Sequence, residues 1–83
     1  MFHVYVIHSA EFDKIYIGFT SDLEARFKSH NALATKGWTV KFRPWILVHT
    51  ESFETKIDAM RREKELKSAR GRKFIRDEVI NKK

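Results

Sequence analysis

The sequence contains no cysteine, one proline and three glycines in 83 residues. Without cysteine there is no disulfide framework and no thiolate zinc site, and a reducing cytosol is the simplest compartment. Long apolar runs are missing too. Trp45-Ile46-Leu47-Val48 is among the longest, far short of a bilayer span. Met1-Phe2-His3 offers neither a basic n-region nor an apolar h-region, so no signal peptide and no membrane partner are expected. The glycines form no phosphate-cradling loop, and no Ser/His/Asp arrangement or zinc signature stands out. Acidic residues are in deficit: eleven Asp and Glu against seventeen Lys and Arg leave a net charge of +6. That balance favours a polyanion, with nucleic acid the leading candidate. The plainer alternative is a soluble domain that is merely basic. The charge is uneven, however, and Arg61, Arg62, Lys64, Lys67, Arg70, Arg72, Lys73, Arg76, Lys82 and Lys83 crowd the last third.

What is present is a core of modest size: 42% of residues are hydrophobic and 13% aromatic, enough for one ordered domain over residues 1–83. Phe2 to His8 alternates, with Phe2, Val4 and Val6 on one face and His3, Tyr5 and Ile7 on the other. Lys14 to Phe19 alternates likewise, setting Ile15, Ile17 and Phe19 against Tyr16 and Gly18. The polar link between them predicts an antiparallel hairpin. Apolar residues on both faces predict a sheet covered on both sides. Ser21-Asp22-Leu23-Glu24 fits a capping box that opens a helix to about Leu33. Its stripe is Leu23, Phe27 and Ala34, with Arg26 and His30 spaced i, i+4 along one edge. Ala34 to Arg43 has no period and reads as a loop, basic and aromatic at Lys36-Gly37-Trp38. Pro44 introduces a third strand, Trp45 to Thr50, and Glu51 to Glu54 reads as a connector. Thr55-Lys56-Ile57-Asp58 is a second capping box. The helix after it, to about Ser68, is expected to bury Ile57, Ala59, Met60 and Leu66. Gly71 reads as a break before a last helix from Lys73 to about Ile80. The fold class is therefore α+β, a three-stranded antiparallel sheet flanked by helices in the order β-β-α-β-α-α.

Glu63 is the sharpest single residue. It shares the face of Ala59, Met60 and Leu66, and an inward carboxylate needs a cation, hydrogen bonds or a metal. An ion pair is the plainer reading. Mg²⁺ is the other, because it is commonly held by a single carboxylate and keeps most of its waters. Tyr5 and Tyr16 sit opposite the aliphatic rows of their strands. They are either packing or a pair of phenols around one reacting group. Arg26 can fork onto a phosphate, and His30 can move a proton or hold a phosphate oxygen. Gly18 is a bulge, a tight packing point or a close approach to ligand. His3, His8 and His49 show no ligand spacing.

Taken together, Val4-Tyr5-Val6, Tyr16-Ile17-Gly18-Phe19-Thr20, Asp22-Leu23 with Arg26, His30-Asn31, Arg43-Pro44-Trp45 and Ala59 with Arg62-Glu63-Lys64 and Leu66-Lys67 resemble the GIY-YIG nuclease superfamily. The likeness covers nearly the whole chain. It is greatest to the small stand-alone bacterial proteins similar to the YhbQ and URI group, and extends to the N-terminal nuclease module of the excision-repair protein UvrC. The resemblance implies that Tyr5, Tyr16, Arg26, His30 and Glu63 are catalytic, with Glu63 holding one divalent cation, Mg²⁺ or Mn²⁺. It implies hydrolysis of DNA phosphodiesters, in which a tyrosine helps activate water and the arginine stabilises the pentavalent phosphate. The chain departs from the family pattern in three places: no glycine in the first motif, Phe19 where some relatives carry a basic residue, and Ile75 near a position where some carry Asn.

The resulting expectation is a divalent-metal-dependent, structure-specific DNA endonuclease of repair or recombination in the bacterial cytosol. Lys36, Arg61, Arg62, Lys64, Lys67, Arg70, Arg72 and Lys73 are its expected nucleic-acid contacts, and a targeting partner or a homodimer is expected to add selectivity. The alternatives are a non-catalytic nucleic-acid-binding module of the same fold, and a protein adaptor working through Trp38 or Trp45.

Overall fold

The computed structural model describes residues 1–33 and 37–81, and the side chains of Ala32 and Leu33 are set aside. Strand β1 (Phe2–Ser9) lies at the centre of a three-stranded antiparallel sheet, between β2 (Lys14–Thr20) and β3 (Ile46–Phe53). The hairpin register runs without interruption from His3 opposite Thr20 to Ser9 opposite Lys14, so Gly18 is not a bulge. The link between the strands ends at Asp13, which adopts φ 51°, a left-handed conformation that Asp tolerates better than most residues.

Side-chain parity divides the interior into two layers. Val4, Val6, Ile15 and Ile17 pack with Ala59, Leu66 and Ile75, and Phe2, Phe19 and Val48 join them. Tyr5, Ile7 and Trp45 form a second cluster with Tyr16, Leu23, Phe27 and Phe42. Both faces of the sheet are thus covered, and Val4, Tyr5, Val6 and Ile7 are each at most 1% exposed. The residues at two of the family departures, Phe19 and Ile75, belong to the first cluster; these positions serve packing here.

Helix α1 (Leu23–Lys28) widens into a π-helical segment, Ser29–Leu33. Its N-cap is Asp22, not Ser21: the Asp22 carboxylate accepts the Ala25 N–H at 3.1 Å. Thr20 Oγ1 accepts the Asp22 N–H at 3.1 Å, which pins the turn one residue later than expected, and Asp caps as well as Ser does. The expected loop before Pro44 contains a 3-10 helix, Trp38–Phe42. Five residues are too few to produce a period in sequence. The predicted buried Ala34 and the basic residue Lys36 lie outside the described residues.

Strand β3 starts and ends later than predicted. Trp45 precedes it because the Asn31 side chain takes both Trp45 backbone groups, accepting its N–H at 2.6 Å and donating to its carbonyl at 2.8 Å. At the far end Glu51, Ser52 and Phe53 continue the ladder opposite Val4, His3 and Phe2. A glutamate is acceptable there because Arg62 donates to it from Nε at 2.9 Å and from Nη2 at 3.1 Å, and His49 sits 2.7 Å away.

Helix α2 (Lys56–Lys67) is capped as expected by Thr55, whose Oγ1 accepts the Asp58 N–H at 3.2 Å. Ala59 and Leu66 are buried, but Ile57 and Met60 are 69% and 47% exposed, against expectation. The pair with Glu51 turns Arg62 toward the sheet, so the sheet-facing row is 59, 62, 63 and 66. Ser68 then ends α2 and caps α3 (Ala69–Phe74), its Oγ accepting the Gly71 N–H at 3.1 Å. Gly71 is no break. It is buried inside α3, and a Cβ there would stand 2.5 Å from Leu66 Cα and 2.6 Å from Leu66 O, so it lets α3 cross close over the end of α2. The chain runs on in a π-helical segment, Ile75–Ile80. Among the described residues no helix is long and apolar enough to cross a membrane.

Candidate active site

Tyr5 lies directly opposite Gly18 across the hairpin. With no Cβ at Gly18, the Tyr5 ring leans over that position: a Cβ there would come within 2.6 Å of Tyr5 Oη and 3.0 Å of Tyr16 Cε1. The two tyrosine rings therefore stack, with centroids 6.2 Å apart and planes at 30°. Close approach, one of the readings of Gly18 in sequence, is what the structure uses.

The π-helical turn after α1 brings His30 over both rings, 4.6 Å from that of Tyr16 and 5.7 Å from that of Tyr5. Turns of this kind recur at functional sites. His30 is buried, with Nε2 2.8 Å from Tyr5 Oη and Nδ1 3.1 Å from Thr39 Oγ1. Burial, reinforced by the positive charges of Arg26 and Arg43, pushes His30 down to about 4, so it is neutral near pH 7. Arg43 also fixes the turn, donating to His30 O at 2.6 Å and Ser29 O at 3.1 Å.

Burial pushes the Tyr5 phenol up to about 12, against the opposing pull of Arg26. Arg26 in turn is held above its usual value, first by its hydrogen bond to Tyr5 and then by that to Tyr16. Arg26 only donates, so the Tyr5 oxygen accepts from it, and a hydrogen bond joins that oxygen to His30 Nε2. Tyr5 is 1% exposed. Tyr16, by contrast, is only partly buried and lines a cleft with Arg26, Ser29, His30, Gly37, Trp38 and Thr39.

Glu63 is the fifth candidate. Its side chain is 19% exposed, and Oε2 meets Lys67 Nζ at 3.5 Å. The inward carboxylate therefore has a cation, as its burial requires, and that cation is one turn further along α2. Lys67 itself lines a second cavity, of about 370 Å³, with Tyr16, Trp38, Lys14, Arg72, Arg76 and Asp13. Tyr5, Tyr16, Arg26 and His30 are thus brought together, whereas Glu63 lines neither cavity and is linked to them only through Lys67, which lines the cavity beside Tyr16. Among the described residues no group of three or more His, Cys, Asp or Glu is placed to hold a metal ion. A single, largely buried carboxylate fits an ion such as Mg²⁺ or Mn²⁺ that takes its other ligands from water and phosphate.

The profile of the GIY-YIG catalytic domain matches residues 1–75. The chain belongs to the GIY-YIG family. Within this nuclease superfamily it is similar to the UPF0213 protein of Staphylococcus haemolyticus, 39% identical over 66 residues that cover 80% of this chain and 79% of that one. It is 43% identical over 67 residues to a UPF0213 protein of the archaeon Halobacterium salinarum, covering 81% and 86% of the two chains. A solution NMR structure of a UPF0213 protein from Bacillus halodurans shares 33% identity and superposes with a TM-score of 0.54, covering 90% of this chain and 82% of that one.

The described basic residues of this GIY-YIG chain do not all line one cavity. Lys67 and Arg72 line the cavity beside Tyr16. Arg62 and Arg70 line a different one, with Glu65, Leu66, Ser68, Gly71 and Phe74, and Arg62 is engaged by Glu51. Arg61 pairs with Asp58 at 3.6 Å, and Lys73 with Asp77; Lys64 is exposed. Lys14, Arg76 and Thr39 were not singled out as site residues in sequence. Lys14 and Arg76 come from opposite ends of the chain, and Arg76 Nη1 donates to Asp13 Oδ1 at 2.8 Å.

Proposed function

We propose that the chain is a divalent-metal-dependent endonuclease that hydrolyses DNA phosphodiester bonds, acting on nicked, flapped or branched DNA in repair or recombination. The observation that carries this reading is the convergence of Tyr16, Arg26 and His30 on one cleft, backed by Tyr5, beside a basic cavity whose Lys67 pairs with Glu63. Glu63 would hold the cation, which when bound supplies charge neutralisation at the phosphate. Arg26 reaches the cleft and forks onto two phosphate oxygens, stabilising the charge that builds there. Tyr16 is the phenol within reach of a water beside that phosphate and orients it for attack. Tyr5, buried and protonated, holds Arg26 and His30 in place. His30, neutral and tied to Thr39, keeps the Tyr5 hydroxyl from turning.

The test compares wild type with Tyr16→Phe, Arg26→Ala and Glu63→Gln on nicked, flapped and branched DNA in Mg²⁺. Cleavage by wild type alone, with losses of roughly 100-fold or more in each variant, is expected. Equal cleavage by all four proteins would sink the mechanism. DNA binding without turnover in any of them would favour a non-catalytic binding module instead.

A further inference from the structure

Tyr16 and Trp38 are common to the cleft that holds Arg26 and His30 and to the basic cavity beside it. Trp38 is the feature that the catalytic reading leaves unexplained. It is 47% exposed, yet it is not loose. Its ring stands 4.8 Å from Phe42, 5.7 Å from buried Trp45 and 6.5 Å from Tyr16, the last at an interplanar angle of 30°. Gly37, at φ 115°, turns the chain into the 3-10 helix that presents it. The Trp45 indole N–H donates to Thr39 O at 2.7 Å and fixes that helix from beneath. A rigid, half-open indole beside a phosphate cleft offers a flat apolar surface at little ordering cost.

The surroundings of Trp38 are cationic. Lys14, Lys67, Arg72 and Arg76 line the adjoining cavity against one carboxylate, Asp13. All four cations are held in place: Lys14 Nζ lies 5.5 Å from the Phe42 centroid, Arg72 Nε donates to Lys67 O at 3.1 Å, Lys67 pairs with Glu63 at 3.5 Å and Arg76 with Asp13 at 2.8 Å. Aromatic platforms interleaved with backbone-tracking cations are how single strands are bound without reading sequence. A base can stack on Trp38 only if it is unpaired, because a paired base offers its faces to its own neighbours in the duplex.

Resting on the nuclease reading above, we propose that Trp38 is a stacking platform for an unpaired nucleobase next to the scissile phosphate, and that Lys14, Lys67 and Arg72 hold the phosphates leading to it. The strand then reaches Tyr16 and Arg26 as a single strand, so the preferred junction is one with an unpaired nucleotide at the cut. The row of cations argues for nucleic acid, not a protein partner, as the occupant.

The test is fluorescence anisotropy with a short labelled oligothymidylate and with a blunt duplex, in chelator so that no cleavage intervenes. Wild type, Trp38→Ala and Trp38→Phe are compared, with NMR amide dispersion confirming the fold of each. Trp38→Ala should weaken single-strand binding by roughly 5- to 150-fold and leave duplex binding within about twofold. Trp38→Phe should recover most of the loss. Equal losses on both DNAs, or no loss on either, would overturn the proposal, and the second result would turn attention to a protein docking on Trp38. Because no metal is present, failure of the cleavage assay leaves this test standing. Retained cleavage with undiminished single-strand binding in Trp38→Ala removes the platform and spares the nuclease reading.

Discussion

Replacing Gly18 by alanine tests whether the two tyrosines depend on an empty space between them. The substitution pulls two ways. In a strand, alanine is favoured over glycine by about 0.5–1 kcal/mol of backbone entropy. Against that, the new Cβ would sit 2.6 Å from Tyr5 Oη, 2.8 Å from Tyr5 Cζ and 3.0 Å from Tyr16 Cε1, where 3.4 Å begins ordinary contact. The phenol must retreat by several tenths of an ångström, and it has little room. Tyr5 is 1% exposed, its oxygen is held 2.8 Å from His30, and its ring rests on Tyr16. Overpacking of this kind costs about 1–3 kcal/mol, and a lost hydrogen bond to His30 would add about 1 kcal/mol. Strain wins: Gly18→Ala should destabilise by about 1–3 kcal/mol, lowering Tm by about 4–8 °C per kcal/mol. Displacing the phenol that holds Arg26 should also cost about 100-fold in DNA cleavage. Urea titration and thermal melting read the first effect, single-turnover cleavage the second. Tyr5→Phe removes the oxygen and leaves Cζ nearest, so the double variant should be more stable than additivity allows, by about 1 kcal/mol. A Gly18→Ala protein as stable as wild type would refute the reasoning.

Gly71→Ala meets backbone, not a side-chain end, with Leu66 Cα at 2.5 Å and Leu66 O at 2.6 Å; urea midpoints should show a loss of roughly 3 kcal/mol, and an unchanged midpoint would mean that α3 does not cross α2 so closely. Acid should expose His30. Its folded value of about 4 lies below the ordinary 6.5, so the unfolded chain takes up the proton first, and stability complete above pH 6.5 is lost as pH falls toward 4. That share is on the order of 3 kcal/mol, and urea titrations across this range should slope less steeply for His30→Gln than for wild type. Lys14→Ala and Arg72→Ala should each reduce the salt slope of DNA binding by about one. Arg70→Ala, whose cavity lies away from Tyr16, should change it less; an equal effect from all three would mean that DNA spreads over both basic regions.

Strand parity was the most legible part of the sequence. A period of two sends Val4 and Val6 to one cluster and Tyr5 and Ile7 to the other, and no distant contact overrides it. Sequence pattern and structure differ where a side chain from another element replaces a backbone partner or a hydrophobic neighbour. Asn31 occupies the Trp45 backbone, so the strand starts after Trp45. Arg62 and His49 satisfy Glu51, so the strand runs through a residue that looks like connector. The same pair turns Arg62 inward and leaves Ile57 and Met60 in water. Gly71 has the composition of a break and the job of a contact, a distinction that exists only once α2 and α3 are packed. The basic run divides once folded. Helical rotation sends Lys67 and Arg72 to one side of the molecule and Arg62 and Arg70 to another, while Lys14 comes from the hairpin.

Which of the two tyrosines meets the substrate was open in sequence, because both stand on the same face of one hairpin. Under the proposed function, the strand order favours Tyr16. β1 lies in the middle of the sheet, with β2 and β3 on its flanks and a packed layer on each face, so every route to Tyr5 is closed by protein. β2 is an edge strand, so Tyr16 is covered above and on one flank but open on the other, where Trp38 and the basic cavity lie. Burial pushes the Tyr5 phenol up to about 12, which keeps it protonated near neutral pH. In the proposed function its use is to be a fixed hydrogen-bonding post for Arg26 and His30, and chemistry at the phosphate falls to Tyr16 and Arg26. On that reading, the position of the third strand, which contributes no residue to the tyrosine cleft, is what makes one tyrosine structural and leaves the other free to act.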